Sequence, residues 1–277
     1  MPTDCRMARA EVVHFDHGQF CRVDLNARDP DGARGFYSGV FGWTGEFAGR
    51  AAQAGGYERF SLDGRVVAGM GRMSDAMREA GAPSVWVSYV SVENVDAVAE
   101  NAEALGATVR MPATDIADTG RMAMIDDPTG GTVAFWQPGK EAGAELVTRP
   151  GALCWNELAT PDLDQACAFY GDLLGWSYRD NPHSPAPYRI IDNRGRPNGG
   201  VLQMTEEWGG MAAHWIVYFA VDDAGGLADR VLALDGLVHH GPFDTAAGRL
   251  VVCRDPQGAA FHALQMKGEE GDRSAAS

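Results

Sequence analysis

The side chains best suited to chemistry in this sequence are a few ionisable groups set among aromatic ones in strand-like segments. They are Arg22, Asp24, Tyr89, Trp136, Trp155, Glu157, Tyr218 and His262. A carboxylate and an imidazole can exchange protons, so His262 with Glu157 or Asp24 is a candidate acid/base pair. The aromatic residues, together with Arg22, are candidates for binding a flat ligand by stacking.

Each candidate also has an ordinary structural interpretation. Asp24 and Glu157 stand at equivalent positions of an internal repeat, and a structural contact made in both copies would produce the same pattern. This applies equally to the two tyrosines, and Trp155 can belong to a hydrophobic core. His262 corresponds to Ala134, so the repeat itself does not require a histidine there, and this strengthens its functional interpretation.

The elements that must position these residues are repeated along the chain. Residues 18–43 and 151–176 align without a gap, and each reads as a strand followed by a helix. In the first copy, Asp29 is predicted to cap the helix, Pro30 to occupy its first turn, and Gly42 to end it. Further strands, a second helix, an Asp-Pro-x-Gly turn and a last strand follow in both copies.

This repeat divides the sequence into two modules. We predict the first module at residues 18–138 and the second at 151–266, joined by a linker at 139–150. Residues 1–17 are predicted to be a tail. Residues 267–277 are predicted to be a polar, disordered tail because they lack the apolar side chains needed for a core.

Composition excludes several classes of partner. The 277 residues carry a formal net charge of −15, which disfavours binding to nucleic acid or to anionic membranes. No segment has the apolar length of a membrane helix or of a secretory signal. We therefore expect a cytoplasmic protein with reduced cysteines and a small-molecule ligand, either a monomer with an internal pseudo-dimer or a homodimer.

The order of these elements resembles the vicinal oxygen chelate superfamily, which includes glyoxalases, bleomycin-resistance proteins and extradiol dioxygenases. The resemblance rests on Asp29, on Phe36-Tyr37, on Gly42-Trp43, on the turn at 127–130, and on their counterparts in the second module. It implies an α+β fold in which two tandem βαβββ modules with curled, mixed sheets pair around a shared cleft.

The resemblance also implies three strand positions at which metal-dependent members carry His, Gln or Glu ligands. These positions hold Arg22, Val87 and Ala134 in the first module, and Trp155, Ile216 and His262 in the second. A single imidazole does not hold a divalent ion that ordinarily takes three or four protein ligands. We therefore expect no metal and no cofactor; a site shifted to His214, Asp24 or Glu157 is the alternative.

The function that these observations favour is metal-independent binding of a small aromatic or polycyclic metabolite or drug, as an accessory to resistance or biosynthesis. The acidic surface would suit a cationic ligand. One alternative is a hydroxylase-like or other metal-free enzyme of aromatic or polyketide metabolism. A second is a glyoxalase-type lyase or a dioxygenase with a non-standard metal site.

Overall fold

A computed structural model describes residues 14–47 and 56–267. The first half contains strands β1 (Phe20–Ala27), β2 (Thr44–Phe47), β3 (Glu58–Leu62), β4 (Arg65–Arg72), β5 (Val85–Ser91), β6 (Thr108–Ile116), β7 (Gly120–Asp126) and β8 (Thr132–Pro138), with helices α1 (Pro30–Phe41), α2 (Asp75–Glu79) and α3 (Val95–Ala104). The second half contains strands β9 (Leu153–Thr160), β10 (Ser177–Asp180), β11 (Tyr188–Asn193), β12 (Arg196–Gln203), β13 (His214–Ala220), β14 (Leu237–Asp244), β15 (Gly248–Arg254) and β16 (Ala260–Met266), with helices α4 (Leu163–Leu174) and α5 (Ala224–Ala233) and a short 3-10 helix (Glu206–Trp208). Most of the predicted tails, residues 1–13 and 268–277, lies outside the described residues.

Each half forms one eight-stranded mixed sheet. The strand orders are β2-β3-β4-β1-β5-β8-β7-β6 and β10-β11-β12-β9-β13-β16-β15-β14. In the first half, β1 pairs in parallel with β4 and β5 pairs in parallel with β8, and helices α1 and α3 lie in the respective connections. The antiparallel pair β1–β5 joins these two units into one sheet. The predicted fold class is confirmed. The structure adds that every half contains the βαβββ unit twice, with both units in the same sheet.

The paired helices α1 and α4 end as predicted but begin differently. Gly42 and Gly175 have φ angles of 74° and 72°, the left-handed conformation that terminates a helix. Asp162 accepts a hydrogen bond from the backbone N–H of Gln165 at 2.9 Å, as a capping residue should. The prediction that Asp29 caps α1 in this way is wrong, because its side chain makes no cap hydrogen bond.

The backbone of Asp29 instead binds a side chain of the opposite half. The N–H of Asp29 donates to Oε1 of Gln257 at 2.8 Å, and Nε2 of Gln257 donates back to the Asp29 carbonyl at 2.7 Å. Gln257 belongs to the Asp-Pro-x-Gly turn of the second half. The start of α1 is therefore attached directly to a turn of the other half.

The two halves are joined by a reciprocal pair of buried hydrogen bonds. The hydroxyl of Tyr37 on α1 donates to Oδ2 of Asp255 in the second half at 3.1 Å, and the hydroxyl of Tyr170 on α4 donates to Oδ2 of Asp127 in the first half at 2.8 Å. Both tyrosines are completely buried. Burial, and then the nearby Asp255 carboxylate, raises the pKa of Tyr37 well above its usual value, so its hydroxyl remains a donor.

Tryptophans extend this symmetric arrangement. Nε1 of Trp43 donates to the carbonyl of Gly151 at 2.7 Å, and Nε1 of Trp176 donates to the carbonyl of Gly18 at 2.9 Å. Each repeated Gly-Trp motif thus contacts the first residue of the opposite copy. Aromatic side chains from both halves also share two large hydrophobic clusters. The halves consequently pair within one chain.

The segment 139–150 connects the halves while lying against the first sheet. The N–H of Ala144 donates to the carbonyl of Cys21 at 2.8 Å, and that of Glu145 donates to the carbonyl of Val66 at 2.7 Å. Nε1 of Trp136 donates to the carbonyl of Glu141 at 2.9 Å. The connection is therefore part of the wall of the first half. Within the described ranges, no helix has the length and apolar character needed to cross a membrane.

Replacing Tyr37 with Phe tests the reciprocal contact. The Tyr37 hydroxyl also accepts a hydrogen bond from Nε1 of Trp86 at 3.0 Å, so Tyr37→Phe removes a hydrogen bond from two buried groups, the Trp86 indole and Oδ2 of Asp255. We expect the free energy of unfolding, measured in urea, to fall by about 2–3 kcal/mol.

Tyr178→Phe is the matched control. The Tyr178 hydroxyl is buried and has no hydrogen-bond partner among the described residues, so its removal should change stability by less than about 0.5 kcal/mol or increase it. Equal losses in the two variants would contradict the importance of the inter-half bond.

Candidate ligand-binding site

A cavity of about 840 Å³ opens on the curled face of the first sheet. Its walls are largely apolar, and three methionines lie beside two aromatic rings. The principal apolar and aromatic residues are Val87, Met111, Met122, Met124, Tyr89 and Trp136. Four of the predicted site residues, namely Arg22, Asp24, Tyr89 and Trp136, line this one cavity. Strand alternation accounts for this grouping, since β1, β5 and β8 are neighbours in the sheet.

The polar end of the cavity is an ion pair between neighbouring side chains of β1. Nη2 of Arg22 lies 2.6 Å from Oδ2 of Asp24, and its Nε donates to Oδ1 of the same carboxylate at 3.2 Å. The hydroxyl of Tyr57 donates to Oδ1 of Asp24 at 3.0 Å and also contacts Nη2 of Arg22. Burial alone would lower the pKa of Arg22, but the Asp24 carboxylate, together with Tyr57 and Tyr89, leaves that pKa above its usual value.

Aromatic rings surround the guanidinium of Arg22. Its central carbon lies 4.7 Å from the ring centre of Trp136, 4.9 Å from that of Tyr89 and 5.6 Å from that of Tyr57. These distances are within the range of cation–π contacts. Ion pairing and ring contacts together hold the guanidinium in one position at the base of the cavity.

Two further ion pairs lie at the rim of the cavity. Nη1 of Arg59 lies 3.0 Å from Oε1 of Glu141, and Nζ of Lys140 contacts Oδ2 of Asp118. Lys140 and Glu141 belong to the connecting segment, and Asp118 belongs to the turn between β6 and β7. The connecting segment therefore closes one side of the cavity.

The other four predicted residues form a packed cluster in the second half. The hydroxyl of Tyr218 donates to Oε1 of Glu157 at 3.0 Å, and Nε1 of Trp155 donates to the hydroxyl of Tyr188 at 3.0 Å. Burial raises the pKa of Glu157 from 4.5 to about 7, with hydrogen bonds from the two tyrosines opposing the rise. A carboxyl group with such a pKa can accept and release a proton near neutral pH.

His262 packs against Tyr218, which donates to this carboxyl group, but it does not titrate near neutrality. Its ring centre is 4.6 Å from that of Tyr218, and its Nδ1 is buried with no hydrogen-bond partner among the described residues. Burial, and secondarily His214, lowers the pKa of His262 from 6.5 to about 3. At neutral pH His262 is therefore an uncharged imidazole. Asp24, its alternative partner, lies in the first half in an ion pair with Arg22.

Comparison with known proteins places this site in a family. The family model described as the Glyoxalase/Bleomycin resistance protein/Dioxygenase superfamily matches residues 14–135 and again residues 151–263. The chain belongs to this superfamily. The two matches correspond to the two halves of the structure, so each eight-stranded sheet is one complete copy of the superfamily domain.

Two curated relatives align over most of their length. The protein named "Putative glyoxylase CFP32" of Mycobacterium tuberculosis (strain CDC 1551 / Oshkosh) is 38% identical over 245 residues, covering 88% of this chain and 93% of that protein. The anthracycline biosynthesis protein DauV of Streptomyces sp. (strain C5) is 32% identical over 266 residues, covering 92% and 96%.

Solved structures of superfamily members support the fold alone. The 2,3-dioxygenase LapB from Pseudomonas sp. KL28 superposes with a TM-score of 0.63 at 14% identity, over 92% of this chain and 94% of that chain. The Mn(II)-bound glyoxalase from Novosphingobium aromaticivorans has a TM-score of 0.63 at 16% identity, over 90% and 82%.

The side chains at the superfamily's metal-ligand positions do not fit a metal ion. In the first half these positions hold Arg22 on β1, Val87 on β5 and Ala134 on β8, and they offer a guanidinium and alkyl groups. His262 is the one potential ligand among the six positions. Within residues 14–47 and 56–267, no group of three His, Cys, Asp or Glu side chains is placed to hold a metal ion.

Two tyrosines at equivalent positions were not among the predicted site residues. Tyr57 binds the Asp24 carboxylate in the first half, and Tyr188 binds Trp155 in the second. Gly69 and Gly200 make room for them, because a Cβ at either glycine would collide with the nearby tyrosine hydroxyl. The sequence contains a signal for both tyrosines, since Tyr and Gly recur at matching positions of the repeat.

The raised pKa of Glu157 predicts a pH-dependent stability. Between about pH 4.5 and pH 7 the folded protein retains a proton that the unfolded chain releases, so this contribution to stability is full at low pH and is lost as pH rises through about 7. The substitution Glu157→Gln removes this pH-dependent contribution to stability. The difference in unfolding free energy, wild type minus variant, should fall by about 3 kcal/mol as pH rises from about 4 to about 8.

Urea unfolding at a series of pH values measures this difference. Glu103→Gln, which changes an exposed glutamate of α3, is the control and should run parallel to the wild type. Parallel curves for Glu157→Gln as well would show that Glu157 is ionised in the folded protein.

Proposed function

We propose that this protein binds a small planar aromatic or polycyclic molecule, without a metal, in the cavity of the first half. The observation that carries the proposal is the cavity itself, which has a volume of about 840 Å³, within the range of about 300–1,000 Å³ usual for small-molecule sites. Methionine side chains adapt to irregular apolar ligands, and three of them line the cavity beside the rings of Tyr89 and Trp136.

A role as an accessory to biosynthesis or resistance agrees with this site. One relative of similar length is named as an anthracycline biosynthesis protein. The guanidinium of Arg22 stands where metal-dependent members carry a ligand, so the first half offers a fixed polar group in place of a Lewis acid. Small-molecule binding requires only the side chains that line the cavity and does not require a metal or a cofactor.

A metal-free enzyme is the second candidate. The specific observation in its favour is Glu157, whose pKa of about 7 suits acid/base catalysis and whose carboxylate accepts a hydrogen bond from Tyr218. A lyase or dioxygenase that depends on a metal is not proposed, because the side chains at the ligand positions do not suit one.

A thermal-shift screen with planar polycyclic compounds separates the two candidates. A ligand at about 100 times its dissociation constant stabilises the folded protein by about 2.7 kcal/mol. We expect a stabilising compound to be recovered unchanged, as judged by mass spectrometry after extraction. Its conversion to a product would instead support the enzyme. Dialysis of the protein against a chelator should leave the ligand-induced thermal shift unchanged. Loss of that thermal shift would contradict metal-independent binding.

Filling the cavity locates the site. Met124 lies on β7 and lines the cavity, and Met124→Trp should weaken binding of a stabilising compound at least about tenfold by occupying its volume. Met124→Leu conserves volume and should stay within about twofold. Isothermal titration calorimetry measures both affinities. Equal affinities in the two variants would place binding outside this cavity.

A further inference from the structure

The charges that line the cavity of the first half cancel one another. Six ionisable residues contribute full charges to its described wall, three of each sign, and every one has a partner of opposite charge. The pairs are Arg22–Asp24, Arg59–Glu141 and Lys140–Asp118. Although the chain carries a net charge of −15, the described lining contributes none of that excess. The acidic composition therefore does not make this cavity a site for cations.

A charged ligand would find no compensation in such a cavity. An ion that leaves water for a largely apolar space loses its hydration, and the protein charges that could replace it are already occupied by their own partners. A neutral aromatic molecule has no comparable cost and gains from burial of its apolar surface. The paired charges thus discriminate against both cations and anions.

One edge of the Arg22 guanidinium remains available to a ligand. Its Nε and Nη2 are engaged by Asp24 and Tyr57, and aromatic rings lie within cation–π distance of it. Nη1 makes no hydrogen bond to a described residue, and it is not among the buried polar atoms that lack a partner. Its N–H groups lie in the guanidinium plane, away from the edge that holds Asp24. An acceptor oxygen of a bound molecule can approach them in that plane.

We infer that the ligand of this cavity is an electrically neutral, planar molecule that presents a carbonyl oxygen to Nη1 of Arg22. This inference rests on the proposed binding function and specifies the class of ligand. The aromatic rings and methionines contact the ligand's flat body, and the guanidinium edge sets its orientation. Asp24 and Tyr57 are positioning residues, because they hold the guanidinium so that one edge stays free.

Four matched probes test the inference by calorimetry. They are anthraquinone with a hydroxymethyl group, its aminomethyl and carboxylate counterparts, and hydroxymethylanthracene, which lacks the ring carbonyls. We expect the neutral quinone to bind at least about tenfold more tightly than either charged quinone, and about tenfold more tightly than the anthracene. Its affinity should not change with ionic strength, because no net charge is transferred.

Arg22→Lys tests the guanidinium edge. A lysine ammonium can still pair with Asp24, but it has no second planar edge. We expect this variant to bind the neutral quinone and the anthracene with affinities within about twofold of each other, while still rejecting the charged probes. Arg189→Lys is the matched control: it alters an ion-paired arginine on β11 of the second half and should leave all four affinities unchanged.

A second measurement does not depend on folding of the variant. Infrared difference spectroscopy of an isotope-labelled quinone bound to the wild-type protein should show its carbonyl stretch moved to lower frequency, as hydrogen bonding to a guanidinium requires. An unshifted carbonyl would overturn the contact with Arg22. A charged quinone that binds as tightly as the neutral one would overturn the charge selection and leave the proposed function standing. If none of the four probes binds, the proposed function and the inference both fail.

Discussion

The reciprocal hydrogen bonds between Tyr37 and Asp255 and between Tyr170 and Asp127 are the contacts on which the rest of the structure depends. Each tyrosine belongs to the first helix of one half, and each aspartate begins the last turn of the other. Because all four side chains are buried, separating the halves would break both hydrogen bonds and expose the aromatic rings to water. These contacts therefore hold the two sheets against each other.

Within this symmetric frame the two halves have different interiors. In the first half the β1 carboxylate, Asp24, lies against the guanidinium of Arg22, which keeps a charged pair inside the cavity. In the second half the equivalent carboxyl group, Glu157, faces Trp155 and tyrosine hydroxyls instead of a cation, and burial moves its pKa to about 7. Where the first half has arginine beside Asp24, the second has tryptophan beside Glu157, so no ion pair with this neighbour offsets the burial of the second carboxyl group. The same fold holds a paired charge in one half and a largely neutral, packed cluster in the other.

Much of the fold could be predicted because the repeat determines it locally. Gly42 and Gly175 end their helices, and alternation along β1 and β9 places Arg22 with Asp24 and Trp155 with Glu157. The short strands β2 and β10 and the helix α2 carry too few residues for a recognisable period, so they went unpredicted. The side-chain cap of α1 was mispredicted, and the start of the helix is instead attached through the backbone of Asp29 to Gln257, more than two hundred residues away in the chain. Tyr57 was missed for a related reason, since its contact with Asp24 joins the residue before β3 to β1, which lies on the far side of β4 in the sheet.

The sequence by itself determined the superfamily, the two-part organisation and the departures from the usual metal-ligand positions, because these follow from residue identity at repeated positions. The tertiary structure alone decided which of those residues share a cavity, how each charge is partnered and how burial changes each pKa. Desolvation and ion pairing depend on what surrounds a group in three dimensions, and those neighbours come from strands and turns distant in sequence. For that reason His262, the most suggestive residue in the sequence, is a half-buried neutral imidazole. Arg22, which occupies a position where metal-dependent members carry a ligand, is the polar centre of the cavity.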